Sequence, residues 1–146
     1  MAMADRTANT VWEGGLAHGN GNLSLKSGAT GDLPVTWASR TERSDGKTSP
    51  EELLAAAHSS CFAMALSHEL GEAGNPPERL DVTSVVTLDL VDGAPTVTTS
   101  KVTVRGRVPG IDQAGFEQAA QGAGKNCPVS RALAGVDIQV DAQLES

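Results

Sequence analysis

The 146 residues are 39% hydrophobic and 20% charged, as in an ordinary globular protein, and they predict a single domain over residues 1–146. Eleven basic against eighteen acidic side chains give a net charge of −7, which argues against nucleic acid or an anionic membrane as a partner. No apolar run approaches the roughly 18 residues of a membrane span, and the N-terminus carries no apolar stretch of signal-peptide length, so we expect a cytoplasmic protein.

The first third of the chain is predicted to form strands. Residues 10–13 and 21–26 alternate apolar and polar side chains, and the glycines between them predict a turn. Residues 35–40 predict a third strand, and the polar residues 42–49 predict a loop after it.

The strongest local signal is the start of a long helix. Ser49 is a suitable N-cap, Pro50 fits the first helical position and Glu52 completes a capping box. Good helix formers follow without Gly or Pro until Gly71, which predicts a helix over residues 50–70. Because this helix is apolar or small on nearly every face, we expect it to be buried in a core or between subunits.

The rest of the chain divides into further predicted strands and helices. In order these are a strand over residues 80–91, a hairpin turn over 92–95, a strand over 96–108, a helix capped by Asp112 that ends near Gly122, a short helix over 129–134 and a strand over 136–144. Strands and helices do not alternate regularly, so the order predicts an α+β fold rather than a βαβ fold.

Two cysteines, Cys61 and Cys127, are the first candidates for chemistry. In a reducing compartment a lone structural disulfide is rare, whereas a transient redox pair is less so. Cys61 lies inside the long helix, where the helix itself does not lower a thiol pKa. Cys127 immediately precedes Pro128, which predicts an N-cap position facing backbone N–H groups. The alternative is that both are inert buried thiols, since free cysteine is among the most buried residue types.

The histidines give little support for a metal site. His18, His58 and His68 match no known ligand spacing, so we expect no metal and no cofactor, and a metal-dependent hydrolase lacks its ligands. His58 lies three residues before Cys61 on the long helix. We expect it to be a packed or hydrogen-bonded helix residue, with at most a minor role near the thiol.

Two blocks of the sequence resemble a known family. Residues 49–66, SPEELLAAAHSSCFAMAL, resemble the signature helix of the osmotically inducible protein C and organic hydroperoxide resistance (OsmC/Ohr) family. Residues 126–130, NCPVS, resemble the second-cysteine motif of that family. Shorter matches occur at residues 12–14, 71–74 and 108–112, so the resemblance covers nearly the whole chain in order.

The resemblance implies a fold and an activity. The fold is OsmC-like, with antiparallel sheets and a long central helix, in an intertwined homodimer with its active sites at the subunit interface. The activity is reduction of organic hydroperoxides, and of hydrogen peroxide, by a two-cysteine mechanism in defence against oxidative and osmotic stress. The position of Cys61 matches the cysteine that attacks the peroxide. That of Cys127 matches the cysteine that resolves the sulfenic acid to a disulfide, which a dithiol or a lipoyl group then reduces.

The family also uses an arginine and a glutamate, and the matching positions are Arg40 and Glu51. Arg40 would favour the thiolate and polarise the peroxide, and a bidentate pair with Glu51 would fix its direction. Glu51 precedes Cys61 by ten residues, about 15 Å along a helix, so a site containing both would take Glu51 from a second chain.

Two alternatives remain at this point. The Ohr subgroup takes its arginine from a segment near the N-terminus, and that segment has no arginine here. The position of Arg40 instead resembles that of the OsmC subgroup. Arg43 is the alternative candidate for the active-site arginine. The other function considered is a non-enzymatic dimer of the same fold that binds a small molecule or lipid, with its thiols incidental.

Overall fold

The computed structural model describes residues 2–145 and contains two compact units, one ending at Leu53 and the other beginning at Leu54. In chain order the elements are β1 (Ala8–Glu13), β2 (Asn20–Leu25), β3 (Leu33–Val35), α1 (Trp37–Thr41), α2 (Pro50–Glu72), β4 (Arg79–Val91), β5 (Ala94–Arg107), α3 (Gln113–Asn126), α4 (Pro128–Ala132) and β6 (Asp137–Leu144). The predicted α+β class is confirmed. A single domain over residues 1–146 stays a prediction.

The first unit contains a three-stranded antiparallel sheet in the order β1-β2-β3. Gly21 of β2 pairs with Trp12 of β1 and with Val35 of β3. A Cβ atom at Gly21 would lie 2.8 Å from the Trp12 ring and 2.9 Å from the Val35 side chain. Because Gly21 has no side chain, the side chains of Trp12 and Val35 can pack against the middle strand at this position.

The predicted third strand is wrong beyond Val35. Strand β3 ends there, and the next residues form the short helix α1 instead. Thr36 caps this helix, because its hydroxyl accepts from the Ser39 N–H at 3.0 Å and the Ser39 hydroxyl accepts from the Thr36 N–H at 2.9 Å. This reciprocal capping box outweighs the β-propensity of Val, Thr and Trp, and it places Arg40 in the last turn of α1.

Helix α2 agrees with its prediction and extends two residues further. The Ser49 hydroxyl accepts from the Glu52 N–H at 3.1 Å, as an N-cap does. The Glu52 carboxylate accepts from the Thr48 hydroxyl at 2.6 Å, where a complete capping box would bind it to the cap N–H. After the helix, Gly74 adopts a positive φ of 87°, which ends the helix with little strain.

The second unit contains a three-stranded sheet in the order β4-β5-β6. Asp92 and Gly93 form a two-residue turn between β4 and β5, and both have positive φ. The expectation of antiparallel sheets fails at one edge, because β6 pairs parallel with β5. Helices α3 and α4 lie between these strands in the chain, and such a helical crossover allows parallel pairing.

The hydrophobic core of the second unit is formed by α2, β5, α3 and β6. Its fully buried members include Phe62, Leu66, Leu70, Val102, Val104 and Phe116. A Cβ atom at Gly106 would lie 2.5 Å from the Phe116 ring, so the glycine of β5 makes room for that aromatic side chain. Among the described residues, no helix has the length and apolar character needed to cross a membrane.

Candidate active site

The second unit brings the two cysteines together. Cys61 lies on α2 and is partly exposed, whereas Cys127 is completely buried between α3 and α4. Cys127 ends α3, where its N–H donates to the Ala123 carbonyl at 2.9 Å, and it is also the N-cap of α4 before Pro128. Both thiols are free, and each of them shifts the pKa of the other. Cys127 is the N-cap of α4 as predicted, but its thiol makes no capping hydrogen bond to the backbone N–H groups of that helix.

The two sulfurs differ in their affinity for a proton. Burial raises the pKa of Cys61, and the hydrogen bond to Cys127 and the charge there raise it further, although the Val129 N–H lowers it. Burial also opposes ionisation of Cys127. The hydrogen bond from Cys61 and the N–H and hydroxyl groups of Ser130 nevertheless hold the pKa of Cys127 below its usual value. Cys127 is therefore the thiol of the pair that loses its proton more readily.

A buried histidine lies beside this pair. His58 is completely buried on α2, and its Nδ1 and Nε2 atoms lie 2.6 Å and 2.8 Å from the hydroxyls of Ser100 and Ser130. The Ser100 hydroxyl in turn lies 3.0 Å from the hydroxyl of Ser84. Burial lowers the pKa of His58, which favours the neutral imidazole. The prediction of a hydrogen-bonded helix histidine is confirmed.

The two serine partners of His58, Ser100 and Ser130, were not predicted from the sequence, nor was Ser84, which bonds to Ser100. A signal for Ser84 and Ser100 was present, since Ser84 lies between the inward-facing Val82 and Val86 on β4, and Ser100 precedes the inward-facing Val102 on β5. A polar residue on the apolar face of a strand needs a buried hydrogen-bond partner. Ser130 had no such signal beyond its closeness to Cys127 in the sequence.

The first unit brings Arg40 and Glu51 together. The Arg40 Nε donates to the two carboxylate oxygens of Glu51 at 2.7 Å and 3.2 Å. Glu51 is buried, and the Arg40 guanidinium also lies 5.9 Å from the centroid of the Trp37 ring. Because the contact uses Nε alone, it differs from the expected bidentate fork and leaves the terminal amino groups of Arg40 out of the pair.

The rival arginine has a different environment. The side chain of Arg43 is 84% exposed, against 32% for Arg40, and its ion pair with Asp45 is long at 3.8 Å. An exposed pair of this kind fixes a side chain weakly. The fixed arginine is therefore Arg40.

Arg40 lines an apolar cleft of about 470 Å³ within the first unit. Most of its wall consists of apolar side chains, contributed by Trp12, Leu16, Leu23, Val35, Trp37, Pro50 and Leu53. Arg40 is the charged residue in this lining, and Thr10 and Thr36 add hydroxyls. Such a cleft suits a molecule with an apolar body and one polar or anionic end.

Within residues 2–145, no group of three or more His, Cys, Asp or Glu side chains is arranged to hold a metal ion. The residues brought together are therefore two thiols with a buried histidine in one unit, and an arginine with a glutamate in the other.

Comparison with known proteins identifies the family. The family model described as OsmC-like protein matches residues 43–141. The chain is 43% identical over 135 residues to peroxiredoxin OsmC of Escherichia coli (strain K12), covering 92% of this chain and 93% of that protein. A peroxiredoxin OsmC from Shigella flexneri has the same identity and coverage.

Solved structures confirm the OsmC-like fold. The organic hydroperoxide resistance protein OsmC from Legionella pneumophila has a TM-score of 0.74 at 24% identity, over 98% of this chain and 99% of that one. The organic hydroperoxide resistance protein OhrB of Bacillus subtilis has a TM-score of 0.75 at 24% identity, over 94% and 98%. In sequence and in fold, this chain belongs to the OsmC family.

Proposed function

We propose that this chain is a cysteine-based peroxidase that reduces organic hydroperoxides, and hydrogen peroxide with them, in defence against oxidative and osmotic stress. The observation that carries the proposal is that two free thiols far apart in the sequence, Cys61 and Cys127, are near enough for each to shift the pKa of the other. The name peroxiredoxin in a 43% identical relative supports it.

In the first step Cys61 is the nucleophile. With Cys61 ionised and Cys127 protonated, the Cys61 thiolate attacks one peroxide oxygen. An S–O bond forms, the O–O bond breaks, and the alkoxide leaves with the proton from Cys127. The products are an alcohol, a sulfenic acid on Cys61 and a thiolate on Cys127.

In the second step Cys127 resolves the sulfenic acid. Its thiolate attacks the Cys61 sulfur, the S–S bond forms, the S–O bond breaks and hydroxide leaves. A dithiol or lipoyl-type reductant then restores both thiols through a mixed disulfide. Because this cycle needs a thiol reductant, we place the protein in the cytoplasm, where such reductants are maintained.

Arg40 and Glu51 complete the proposed site. Glu51 fixes Arg40 through Nε, which leaves two terminal amino groups to stabilise the attacking thiolate and the leaving alkoxide. The apolar cleft beside Arg40 accommodates the organic part of the hydroperoxide. This chemistry favours an alkyl or aryl hydroperoxide over a fully polar one.

The proposed active form is a homodimer. Glu51 and Cys61 are ten residues apart on the uninterrupted helix α2, which corresponds to about 15 Å along its axis. The Arg40–Glu51 pair of one protomer therefore acts on the Cys61 of the other. In addition, α2 carries an exposed stripe of mainly small and apolar residues, namely Ala56, Ala57, Ser60, Met64 and Ser67. Met64 alone is 69% exposed, so a partner subunit would cover apolar surface there.

One observation favours a second candidate function. The apolar cleft of about 470 Å³ is large enough for a small ligand, as a non-enzymatic small-molecule or lipid-binding dimer would require. In that case the thiols take no part in the function. The discriminating property is therefore what the thiols do when peroxide is added.

A thiol titration separates the two functions. Reduced protein is mixed with one equivalent of cumene hydroperoxide per chain, and free thiols are counted before and after. The peroxidase loses both thiols, and a dithiol restores them. A Cys61→Ser control loses none through catalysis, because its hydroxyl does not form the nucleophilic anion near neutral pH. If the parent protein keeps both thiols, the binding function replaces the peroxidase.

A further inference from the structure

The proposed active-site arginine lies on a helix that is too short to fix its own position. Helix α1 has five residues, Trp37–Thr41, whereas isolated helices shorter than about 12 residues are marginal in water. Ser39 is the buried residue of α1, and the other four are partly or fully exposed. The contacts of Ser39 are therefore the first candidates for what holds α1, and Arg40 with it.

The Ser39 hydroxyl binds a second segment of the chain as well as its own helix. It accepts from the Thr36 N–H at 2.9 Å, which completes the capping box of α1. It also donates to the Thr48 carbonyl at 2.8 Å, and its oxygen lies 2.9 Å from the Thr36 carbonyl. Because Thr48 is buried, its carbonyl needs a hydrogen-bond donor from the protein. The Ser39 hydroxyl supplies that donor and joins α1 to the segment that leads into α2.

Thr48 is itself anchored on both sides. Its N–H donates to the Pro34 carbonyl of β3 at 2.9 Å, and its hydroxyl donates to the Glu52 carboxylate of α2 at 2.6 Å. By contrast, residues 42–46 between α1 and Thr48 are all exposed. The Ser39–Thr48 bond therefore ties α1 to an anchored point, where the exposed loop alone would leave the helix free to move.

Two neighbouring bonds thus connect α1 to the start of α2, and they differ in what they can fix. Arg40 reaches Glu51 through a long side chain with many rotamers, so that bond alone is compatible with several positions of α1. Ser39 has a short side chain, so its bond permits little variation in the distance between the two segments. The Trp37 ring, whose centroid lies 5.9 Å from the Arg40 guanidinium, belongs to α1 itself, and this contact does not fix the helix.

We propose that Ser39 is a positioning residue for Arg40: its bond to the Thr48 carbonyl holds α1 against the start of α2, so that Arg40 meets Glu51 in one defined orientation. Ser39 acts through Arg40 and takes no part in the chemistry itself. Its role in peroxide attack rests on the proposed function, whereas its role in orienting Arg40 does not.

The first test follows the Arg40 Nε–H directly and needs no peroxide. In isotopically labelled protein its NMR signal is identified by its absence in Arg40→Ala. In the parent this proton is bound to Glu51, so it should exchange slowly with water. Ser39→Ala should speed the exchange about tenfold or more, because exchange requires that bond to open.

Three further variants separate the bond to Thr48 from the stability of α1. Ser39→Thr keeps the hydroxyl and should retain the parental exchange. Thr36→Ala removes the hydroxyl that caps α1 but keeps Ser39, so it should lower stability in urea and leave the Arg40 proton protected. Thr41→Ala removes an exposed hydroxyl that bonds within α1, and it should leave the exchange unchanged.

Kinetics then test the effect on the reaction. In a fully folded sample, Ser39→Ala should slow the first peroxide burst about tenfold, since a small displacement of a group at a reaction centre can cost this much or more. Ser39→Thr should keep the parental burst. In an Arg40→Ala background, adding Ser39→Ala should slow the burst by less than a further factor of about two, because its effect passes through the arginine.

Four results decide the proposal. It is wrong if folded Ser39→Ala keeps both the protected Arg40 proton and the parental burst. It is also wrong if Thr36→Ala loses the protection to the same extent, because the cap and not the bond to Thr48 would then fix Arg40. An equal loss of rate in the Arg40→Ala background would show that Ser39 acts by another route. If Ser39→Ala loses the protection but the parent consumes no peroxide, the positioning of Arg40 stands and the peroxidase function fails.

Discussion

At the scale of single residues, the chemistry depends on where one proton lies. The pKa of Cys61 is raised and that of the buried Cys127 is lowered, so Cys127 ionises more readily. This order suits the resolution of a sulfenic acid. It is the wrong one for attacking a peroxide, so the attack needs a positive charge that draws the thiolate state to Cys61. That requirement gives Arg40 its proposed role.

Cys127→Ser tests the division of labour between the two sulfurs. The first turnover needs only Cys61, so the burst of peroxide consumption should remain. Without a resolving thiol, the sulfenic acid should persist or oxidise to sulfinic acid, and steady-state turnover with a dithiol should fall. Mass spectrometry after excess peroxide should find added oxygen on Cys61. Parental turnover by this variant would instead indicate a one-cysteine mechanism with an external thiol.

Arg40→Ala and Arg43→Ala form a matched pair. Removing Arg40 should slow peroxide attack by at least about tenfold, since a cation near a thiol favours the thiolate and also stabilises the alkoxide. Removing the exposed Arg43 should change the rate less than about twofold. Alkylation of Cys61 against pH, measured with the peroxide rate, checks both effects. A large loss at Arg43 with none at Arg40 would reverse the assignment.

At the scale of secondary structure, His58 links helix α2 to β5 and α4 through two serine hydroxyls. Burying an imidazole is favourable only while it stays neutral and fully hydrogen-bonded. The link is therefore sensitive to acid, and stability should depend on the protonation of this one side chain.

Folding stability should fall as the pH drops below about 6.5, the ordinary pKa of histidine. The pKa of His58 is lowered in the folded state, so the unfolded chain binds the extra proton first and stability decreases with acidification. Urea unfolding at pH 5.5 and 7.5 checks this. His58→Gln cannot titrate and should lose much of the difference, whereas His68→Gln should keep it. An unchanged difference in His58→Gln would exclude His58 as its source.

Local sequence signals predicted most elements, but one local capping box and one tertiary pairing were missed. Apart from the third strand, each predicted element is present, with ends displaced by at most four residues. The Thr36 and Ser39 capping box made a helix where alternation indicated a strand. The parallel pairing of β6 was missed because strand direction depends on how α3 and α4 carry the chain across the sheet.

The candidate site was predictable only in part, for a similar reason. The cysteines, Arg40 and Glu51 were found through residue type and family resemblance. The hydrogen bonds from Ser100 and Ser130 to His58 join residues 42 and 72 positions apart, and no local pattern encodes such distant pairs.

At the scale of the whole molecule, the proposed site depends on assembly. An exposed stripe of small and apolar residues on α2 and the ten-residue spacing of Glu51 and Cys61 both favour a second chain. The protein should therefore be a dimer at micromolar concentration by light scattering, burying more than about 2,000 Å² in total as obligate dimers do. Met64→Glu should weaken this dimer and the peroxidase rate together. A monomeric mass for the parent would contradict the shared site.

The most direct measurement combines product and protein after a single turnover. Reduced protein receives one equivalent of cumene hydroperoxide, the alcohol produced is quantified, and the disulfides are mapped by peptide mass spectrometry. We predict one alcohol for each disulfide, with Cys61 joined to Cys127. Two results would contradict a two-cysteine peroxidase. One is peroxide reduction without that bridge, and the other is a disulfide that does not join Cys61 to Cys127.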